Sequence, residues 1–277
     1  MSILRLSPRR VEKVWGRRNL WRGFNDATSD QGPVGEIWFE DPRDGDPELL
    51  IKYLFTGERL SIQVHPGDSL ARQQGMARGK DEAWVILEAE SQSTIAIGPK
   101  HVVSAETLRA AARDGSIEQL LDWRPAQSGD VYYSPAGTIH AIGPGLTLIE
   151  VQQNCDATYR LYDYGRPREL HLNEAVTAAI TAPYVPFKEF QISKGRTVHV
   201  QGPAFVLERL LGEQELALDV AGPVWVIPVS GCGTVESEPL FPGGVWVVEG
   251  GCASLHLDSS SEVLLAYTGS KVMGAAA

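Results

Sequence analysis

Cysteine is scarce in this sequence. Its 277 residues include only three, Cys155, Cys232 and Cys252, and no two of them form a CxxC pair. An odd, scattered set of this kind argues against a disulfide framework and against a zinc site built from thiolates. It is typical of a reducing compartment, so we expect a cytoplasmic protein.

Long apolar segments are also missing. No run reaches the roughly 18 apolar residues of a membrane-spanning helix. The first residues, MSILRLSPRRVEKVWGRR, lack the apolar core of a secretory signal. We therefore expect no association with a membrane.

Positive charge is the third shortage. The chain has 25 Lys and Arg against 35 Asp and Glu, a net charge of -10, and no dense basic run offsets it. Nucleic acids and anionic membranes are therefore poor candidate partners. An anionic small molecule would need a local cluster of cations.

Short strand-like segments, by contrast, are abundant. Aromatic and β-branched residues dominate them, and Gly, Pro, Asp and Asn separate them. The predicted strands are 35–40, 48–55, 59–65, 83–89, 93–98, 130–135, 146–153, 158–164, 204–211, 222–231, 243–251 and 262–269. A helical insertion is predicted over 104–123, beginning at Ser104, and a short helix near 171–180. This pattern favours a mainly β sandwich, jelly roll or barrel.

A break in the pattern divides the chain. The proline-spaced TAPYVPF ends near residue 187, and strand signals resume after it. We predict a first domain over 1–185, with the helical insertion, and a smaller β domain over 186–277.

The stretch LSIQVHPGD contains the first unusual side chains. In a strand, residues two apart share a face, so Ser61, Gln63 and His65 should line one side. The apolar residues should line the other side: Leu60, Ile62 and Val64.

Two later stretches carry matching donors. KDEAWVI places Glu82 on a strand face, and SPAGTIHAIG places His140 after a Gly-containing turn. With Gln63 and His65 they offer one amide oxygen, two imidazoles and one carboxylate, a set that suits Zn, Fe, Co, Mn or Ni. A lone His in a β protein is more often structural, and an inward Gln often satisfies backbone groups. The ordered combination is the specific signal.

These segments resemble the cupin superfamily, and more closely the type I mannose-6-phosphate isomerases in their compact bacterial form. The matching stretches are SIQVHP, GKDEAWVILEAE, YYSPAGTIHAIGPGLTLIEVQQN and TYRLYDYGRPREL, with weaker likeness in GEIW and VWG. The resemblance implies a cupin-type double-stranded jelly roll with a small helical insertion and a second, smaller, degenerate cupin-like domain. It implies one zinc ion on Gln63, His65, Glu82 and His140.

In the second domain GGVWVVEGG lacks the Pro and His of a metal motif, so no metal is expected there.

The resemblance also implies a reaction, the interconversion of mannose 6-phosphate and fructose 6-phosphate through an enediol(ate). Negative charge grows on oxygen in such a reaction, and a metal and a guanidinium can stabilise it. Arg160 matches the family's essential arginine; the alternative is a surface arginine paired with Asp163. Glu150 lies on an otherwise apolar strand and is a candidate general base. The alternative is a structural carboxylate that holds Arg160 or a backbone amide.

Two lysines and a serine are the expected phosphate ligands. Lys80 lies two residues before Glu82 and could bind phosphate or assist proton transfer, or it could be a solvated loop lysine. Lys52 is the only charge in LLIKYLF, and by resemblance Lys52 and Ser61 line the phosphate end. Lys52 could instead be an edge-strand charge that prevents aggregation.

Further residues are expected near the sugar or near the arginine. Glu36, Trp38 and Trp15 are candidates to line the sugar site. Asn154 and Asp156 are candidates to orient Arg160 or the metal ligands.

Two other functions stay open. One is a different metal-dependent cupin enzyme: a dioxygenase, a decarboxylase or another sugar-phosphate isomerase. The other is a non-catalytic cupin that binds a sugar phosphate. For the favoured function the expected partner is a small-molecule sugar phosphate, with no nucleic acid or membrane, and the protein is expected to be a monomer or weak homodimer.

Overall fold

Antiparallel strands form most of the regular structure. The computed structural model describes residues 1–43, 45–219 and 222–274. Its strands are, in chain order, β1 (Ser2–Arg5), β2 (Ser7–Arg17), β3 (Val34–Glu40), β4 (Leu49–Thr56), β5 (Ile62–Val64), β6 (Glu82–Ala89), β7 (Thr94–Pro99), β8 (Leu121–Pro125), β9 (Val131–Ser134), β10 (His140–Ile142), β11 (Leu146–Gln153), β12 (Tyr159–Tyr162), β13 (Phe190–Ser193), β14 (Arg196–Gln201), β15 (Phe205–Leu211), β16 (Gln214–Leu218), β17 (Val224–Ser230), β18 (Gly233–Val235), β19 (Glu238–Leu240), β20 (Trp246–Glu249), β21 (Ala253–Leu257) and β22 (Glu262–Thr268). The helices are α1 (Asp68–Gln73), α2 (Ala105–Asp114), α3 (Ile117–Leu120) and α4 (Leu172–Ala178).

The strands form two pairs of sheets. In the first part of the chain, a six-stranded sheet (β2-β3-β4-β11-β6-β9) is paired with a five-stranded sheet (β12-β5-β10-β7-β8). In the second part, a seven-stranded sheet (β1-β20-β17-β22-β15-β14-β13) is paired with a four-stranded sheet (β16-β21-β18-β19). The expectation of a mainly β protein is confirmed.

The six-stranded sheet is buried on both faces. On β11, Ile149 and Val151 belong to a core shared with the seven-stranded sheet, whereas Leu148 belongs to a separate core together with residues of the five-stranded sheet. Glu150 and Gln152 alternate with the first pair and share the face of Leu148. This explains why the strand is buried at every position yet carries a carboxylate. Because side chains alternate along a strand, the Glu150 carboxylate points toward the interior between the six- and five-stranded sheets.

The short strand β5 is the start of the metal motif. Ile62 and Val64 pack with the helices on the outside of the five-stranded sheet. Leu60, predicted to share their face, packs instead in the core between the six- and five-stranded sheets. The prediction was wrong for Leu60 because β5 begins only at Ile62, and the period of two does not hold before it.

The helical insertion is shorter than predicted. Ser104 caps α2, since its Oγ accepts a hydrogen bond from the Thr107 amide at 3.0 Å, and Gly115 ends the helix with a φ of +84°. After α3 the chain forms β8, which pairs with β7 and places Trp123 opposite Ala96. Residues 121–123 are therefore strand rather than helix, because pairing with β7 overrides the local helical pattern.

The first strand joins the second part of the chain. Residues of β1 pair with β20, Ser2 opposite Glu249 and Arg5 opposite Trp246. The predicted division at residue 185 would therefore leave β1 in a sheet of the second domain. None of the described helices is long and apolar enough to cross a membrane.

A buried ion pair lies in the seven-stranded sheet. Arg196 Nε and Nη2 bind the Glu208 carboxylate at 2.5 and 3.0 Å, and Nη2 also donates to the Met273 carbonyl at 2.7 Å. Glu208 has no exposed surface. The pair ties the end of the described chain to β14 and β15.

Substituting Arg196 by Met should destabilise the protein by about 3–5 kcal/mol, because the buried Glu208 would lose its cationic partner and keep only the hydrogen bond from the Tyr267 hydroxyl. Urea unfolding measures the loss. The exposed Arg72→Met, which removes a surface pair with Asp68, is the control and should cost less than about 1 kcal/mol. A loss for Arg196→Met no larger than that of the control would contradict the assignment.

Candidate metal centre and active-site cavity

Three of the four predicted ligands meet inside the first pair of sheets. His65 Nε2 lies 3.3 Å from Glu82 Oε1, and His140 Nε2 lies 3.4 Å from Glu82 Oε2. One ligand atom from each residue lies within 4.8 Å of the others, and all three residues are buried. Two imidazole nitrogens and a carboxylate therefore point at one small volume.

Backbone carbonyls orient both imidazoles. Nδ1 of His65 donates to the Ala157 carbonyl at 2.7 Å, and Nδ1 of His140 donates to the Thr138 carbonyl at 3.0 Å. A carbonyl can only accept, so each ring carries its proton on Nδ1 and directs an Nε2 lone pair at Glu82. Hydrogen bonds of this kind are common behind metal-bound histidines.

Gln63 lies beside this group. It is paired with His140 across β5 and β10, and its Nε2 is 3.3 Å from His140 Nε2. Its Oε1 accepts a hydrogen bond from Ser61 Oγ at 3.0 Å. Rotation of the amide by half a turn would exchange the two ends, direct the oxygen toward the centre and let Nε2 donate to Ser61.

The charges at the centre suit a cation. Burial lowers the pKa of His65 to about 4, although Glu82 acts in the opposite direction, so the imidazole is neutral at neutral pH. Burial likewise lowers the pKa of His140. Burial alone would raise the pKa of Glu82, but His65 and Lys80 outweigh it and hold that pKa well below its usual range. The donors are therefore neutral imidazoles and an ionised carboxylate.

Several of these donor atoms have no partner. His65 Nε2 and Glu82 Oε2 are buried and make no hydrogen bond with the described residues, and Glu82 Oε1 is contacted by Lys80 Nζ at 2.9 Å. Leaving one oxygen of an ionised carboxylate buried without a hydrogen bond is costly. A divalent cation would satisfy all three atoms together, so the residues present fit a metal.

A cavity opens beside the centre. Of the nine predicted site residues, all but His65 line it: Lys52, Ser61, Gln63, Lys80, Glu82, His140, Glu150 and Arg160. Trp15, Glu36, Trp38 and Asp156 line it as well, whereas Asn154 donates outside the cavity to Asp46 at 3.2 Å.

Lys52 and Glu150 form an ion pair on one wall. They face each other across β4 and β11, with Lys52 Nζ 3.2 Å from Glu150 Oε2 and 2.5 Å from Gln152 Oε1. Trp84 Nε1 donates to Glu150 Oε1 at 3.0 Å. The edge-strand alternative for Lys52 is wrong, because β4 lies between β3 and β11. Glu150 is bound by Lys52 and Trp84 rather than by Arg160.

Lys80 and Arg160 approach the centre from other sides. Lys80 is 5% exposed and its Nζ lies 2.9 Å from Glu82 Oε1, so it is not a solvated loop lysine. Burial would lower its pKa, but Glu82 and Glu150 outweigh this and the pKa is raised. Arg160 Nη1 donates to the Glu169 carbonyl at 2.7 Å. Its expected alternative partner, Asp163, binds other arginines.

Comparison with known proteins identifies the family, although no family model matches the sequence. The chain is 39% identical over 145 residues to mannose-6-phosphate isomerase ManA of Bacillus subtilis, covering 50% of this chain and 45% of that protein. It is 30% identical over 218 residues to a protein of the same organism named probable mannose-6-phosphate isomerase GmuF, covering 65% and 69%. The chain belongs to the mannose-6-phosphate isomerase family.

A solved structure supports the same assignment. The crystal structure of mannose 6-phosphate isomerase from Bacillus subtilis matches with a TM-score of 0.83 and 28% identity, over 96% of this chain and all of that one. The expected cupin-type fold is confirmed. In sequence, the chain spans less than two thirds of the length of three relatives that it matches.

Some residues of this family member were missed by sequence reasoning. Asp81 accepts hydrogen bonds from Tyr133 Oη at 2.6 Å and from the Ala136 amide at 2.8 Å, and so fixes the turn that leads to His140. Its position next to Glu82 was the available signal. Lys13 and Arg168 also line the cavity. Lys13 lies on β2, two residues before Trp15, and this spacing was the available signal; Arg168 lies in a loop and has no periodic pattern.

Glu82→Gln should reduce the bound metal by at least tenfold, because the substitution keeps the size of the side chain but removes the only negative charge among the proposed ligands. Elemental analysis of purified protein measures the metal content. Glu88→Gln is the matched control, since Glu88 is exposed on the same strand. Equal metal content in the two variants would contradict the assigned centre.

Metal retention should be insensitive to pH from 8 to 6. Protonation of His65 Nε2 competes with a metal, and its pKa of about 4 keeps the ring neutral above that pH. Bound metal should therefore be lost as the pH falls through about 4, rather than near the ordinary histidine value of about 6.5. Dialysis at stepped pH followed by elemental analysis measures this. Half-release near pH 6.5 would contradict a buried centre.

Proposed function

We propose that this protein is a zinc-dependent isomerase that interconverts mannose 6-phosphate and fructose 6-phosphate. The observation that carries the proposal is the buried group of His65, Glu82 and His140, with its unpartnered donor atoms, beside a cavity lined by the Glu150 carboxylate and several cationic side chains. Cytoplasmic location and a monomeric or weakly dimeric state remain predictions from the sequence.

The proposed ligands of the zinc ion are His65, Glu82 and His140, with the Gln63 oxygen as the fourth. Mixed nitrogen and oxygen donors without thiolate suit a zinc site that leaves room for a substrate oxygen. When bound, the ion supplies a Lewis acid to the oxygens at C1 and C2 of the sugar.

Glu150 is the proposed base. The carboxylate would take the proton from C2 of the open-chain aldose and return it to C1, while a proton passes between the oxygens of C2 and C1. The Trp84 and Lys52 contacts hold the carboxylate on the cavity wall. A positioned base contributes about 10²–10⁴-fold to such a reaction.

Positive groups would stabilise the enediolate. Arg160 lines the cavity with its Nε buried and without a hydrogen-bond partner among the described residues. It is the proposed donor to the developing oxyanion, with Lys80 as a second cation. Lys52 and Ser61 are the proposed ligands of the phosphate. Arg160, Lys80 and Lys52 together form the local cationic cluster that an acidic protein needs to bind a phosphorylated sugar.

The direct test is a coupled assay for fructose 6-phosphate formed from mannose 6-phosphate. The purified protein should turn over, lose activity with a chelator and recover it with zinc. Undiminished activity after complete metal removal would overturn the mechanism. No turnover by the zinc-loaded protein would overturn the assignment of the reaction.

Arg160→Ala should lower kcat by about 10²–10³-fold, as expected for the loss of one oxyanion donor. Its metal content should be unchanged, because Arg160 meets the proposed ligand Gln63 only as a strand partner, and its side chain makes no hydrogen bond to any of the proposed ligands among the described residues. Arg113→Ala, at the last turn of α2, is the control and should keep full activity. Loss of zinc from the Arg160 variant would show that Arg160 has a structural role rather than the proposed role at the oxyanion.

A further inference from the structure

Arg168 is a cavity residue that the proposed mechanism leaves without a role. It lies in the loop after β12, eight residues beyond Arg160, and lines the same cavity as the proposed metal centre. Its side chain is 32% exposed. An arginine with one end on a buried anion and the other on a cavity is a candidate ligand for an anionic substrate.

A buried aspartate holds this arginine in place. Asp163 is 2% exposed, and its two oxygens accept hydrogen bonds from Arg168 Nε at 2.5 Å and Nη2 at 2.6 Å. A two-point contact between a carboxylate and a guanidinium fixes the plane of the guanidinium. Nη1 of Arg168 makes no hydrogen bond to the residues that the structure describes, so donors remain for a ligand.

The same aspartate binds a second arginine. Arg166 Nη2 and Nε lie 2.7 and 3.1 Å from Asp163 Oδ1. One carboxylate therefore faces two guanidiniums, and the cluster keeps a net positive charge. Arg166 donates from Nη2 to the Arg59 carbonyl at 2.8 Å, and it does not line the cavity. The two arginines thus share a partner but differ in their access to the cavity.

The backbone between these residues is bent to bring them together. Tyr164 and Gly165 both have positive φ, 54° and 78°, a conformation that is uncommon for a tyrosine. The Tyr164 ring lies 5.8 Å from the Arg59 guanidinium and 5.5 Å from that of Arg166. These contacts hold the turn that returns the chain from Asp163 to Arg168.

Arg168 and Arg160 line the same cavity. Burial lowers the pKa of Arg160, and the nearby positive charge of Arg168 lowers it further. Two guanidiniums that repel each other beside one cavity are stabilised by an anion between them.

We propose that Arg168 is a specificity-determining residue that binds the phosphate of the substrate, and that Asp163 is the positioning residue that holds it. This inference rests on the proposed function and extends the phosphate site beyond Lys52 and Ser61. It predicts that the cavity selects a dianionic sugar phosphate partly through Arg168, which is not one of the proposed metal ligands.

The test compares Arg168→Gln with Arg166→Gln, both zinc-loaded. Arg168→Gln should raise the KM for mannose 6-phosphate by about tenfold or more, the usual effect of losing one hydrogen bond between charged groups. Its kcat should stay within about threefold and its zinc content should not change. Arg166→Gln shares the Asp163 contact and should keep the KM within about twofold. An unchanged KM in Arg168→Gln, or a fall in kcat alone, would overturn the inference.

The positioning role of Asp163 needs its own variant. Asp163→Asn should raise KM in the same direction as Arg168→Gln, and the double variant should have a KM no higher than Arg168→Gln alone. If the KM increases of the two single variants multiply in the double variant, Asp163 acts on the fold rather than through Arg168.

A binding measurement separates this inference from the proposed reaction. Inorganic phosphate should bind the zinc-loaded protein about tenfold more weakly after Arg168→Gln, as measured by calorimetric titration. If the protein fails to isomerise mannose 6-phosphate but shows this loss, the reaction assignment fails and the anion site stands. If phosphate affinity does not change, the inference fails whether or not the protein is an isomerase.

Discussion

The central constraint in this structure is a carboxylate that lies in the interior with its oxygens directed at two imidazoles. Glu82 is 1% exposed, its Oε2 has no hydrogen-bond partner among the described residues, and its Oε1 is contacted by Lys80 Nζ at 2.9 Å. A single Lys80 contact does not satisfy both oxygens and the facing Nε2 lone pairs. One divalent cation at this point would account for both the buried carboxylate and the orientation of the two histidines.

The six-stranded sheet separates the buried charges from the apolar core. The six-stranded sheet carries apolar residues on the face toward the second part of the chain and a mixture of apolar and charged residues on the inner face. Tyr53 packs in the core between the two parts, while its neighbour Lys52 faces the cavity. The second part thus covers one face of the six-stranded sheet, and the charged side chains lie on the other face.

Strands and cavity residues could be predicted from the sequence where alternating apolar and polar residues were bounded by Gly, Pro or Asp. The strand 146–153 was predicted with its observed bounds, and Gln63, Glu82 and His140 line one cavity as expected. The first strand was missed because its partner, β20, is more than 240 residues away along the chain. Arg168 was missed because a loop residue has no periodicity, and only the bend at Tyr164 brings it to the cavity.

The most direct test of the central claim is X-ray absorption spectroscopy at the zinc edge on purified protein. The account predicts one zinc ion per chain with only nitrogen and oxygen neighbours at about 2.0–2.2 Å and the scattering signature of two imidazoles. Sulfur neighbours at about 2.3 Å, or an ion without imidazole ligands, would contradict it.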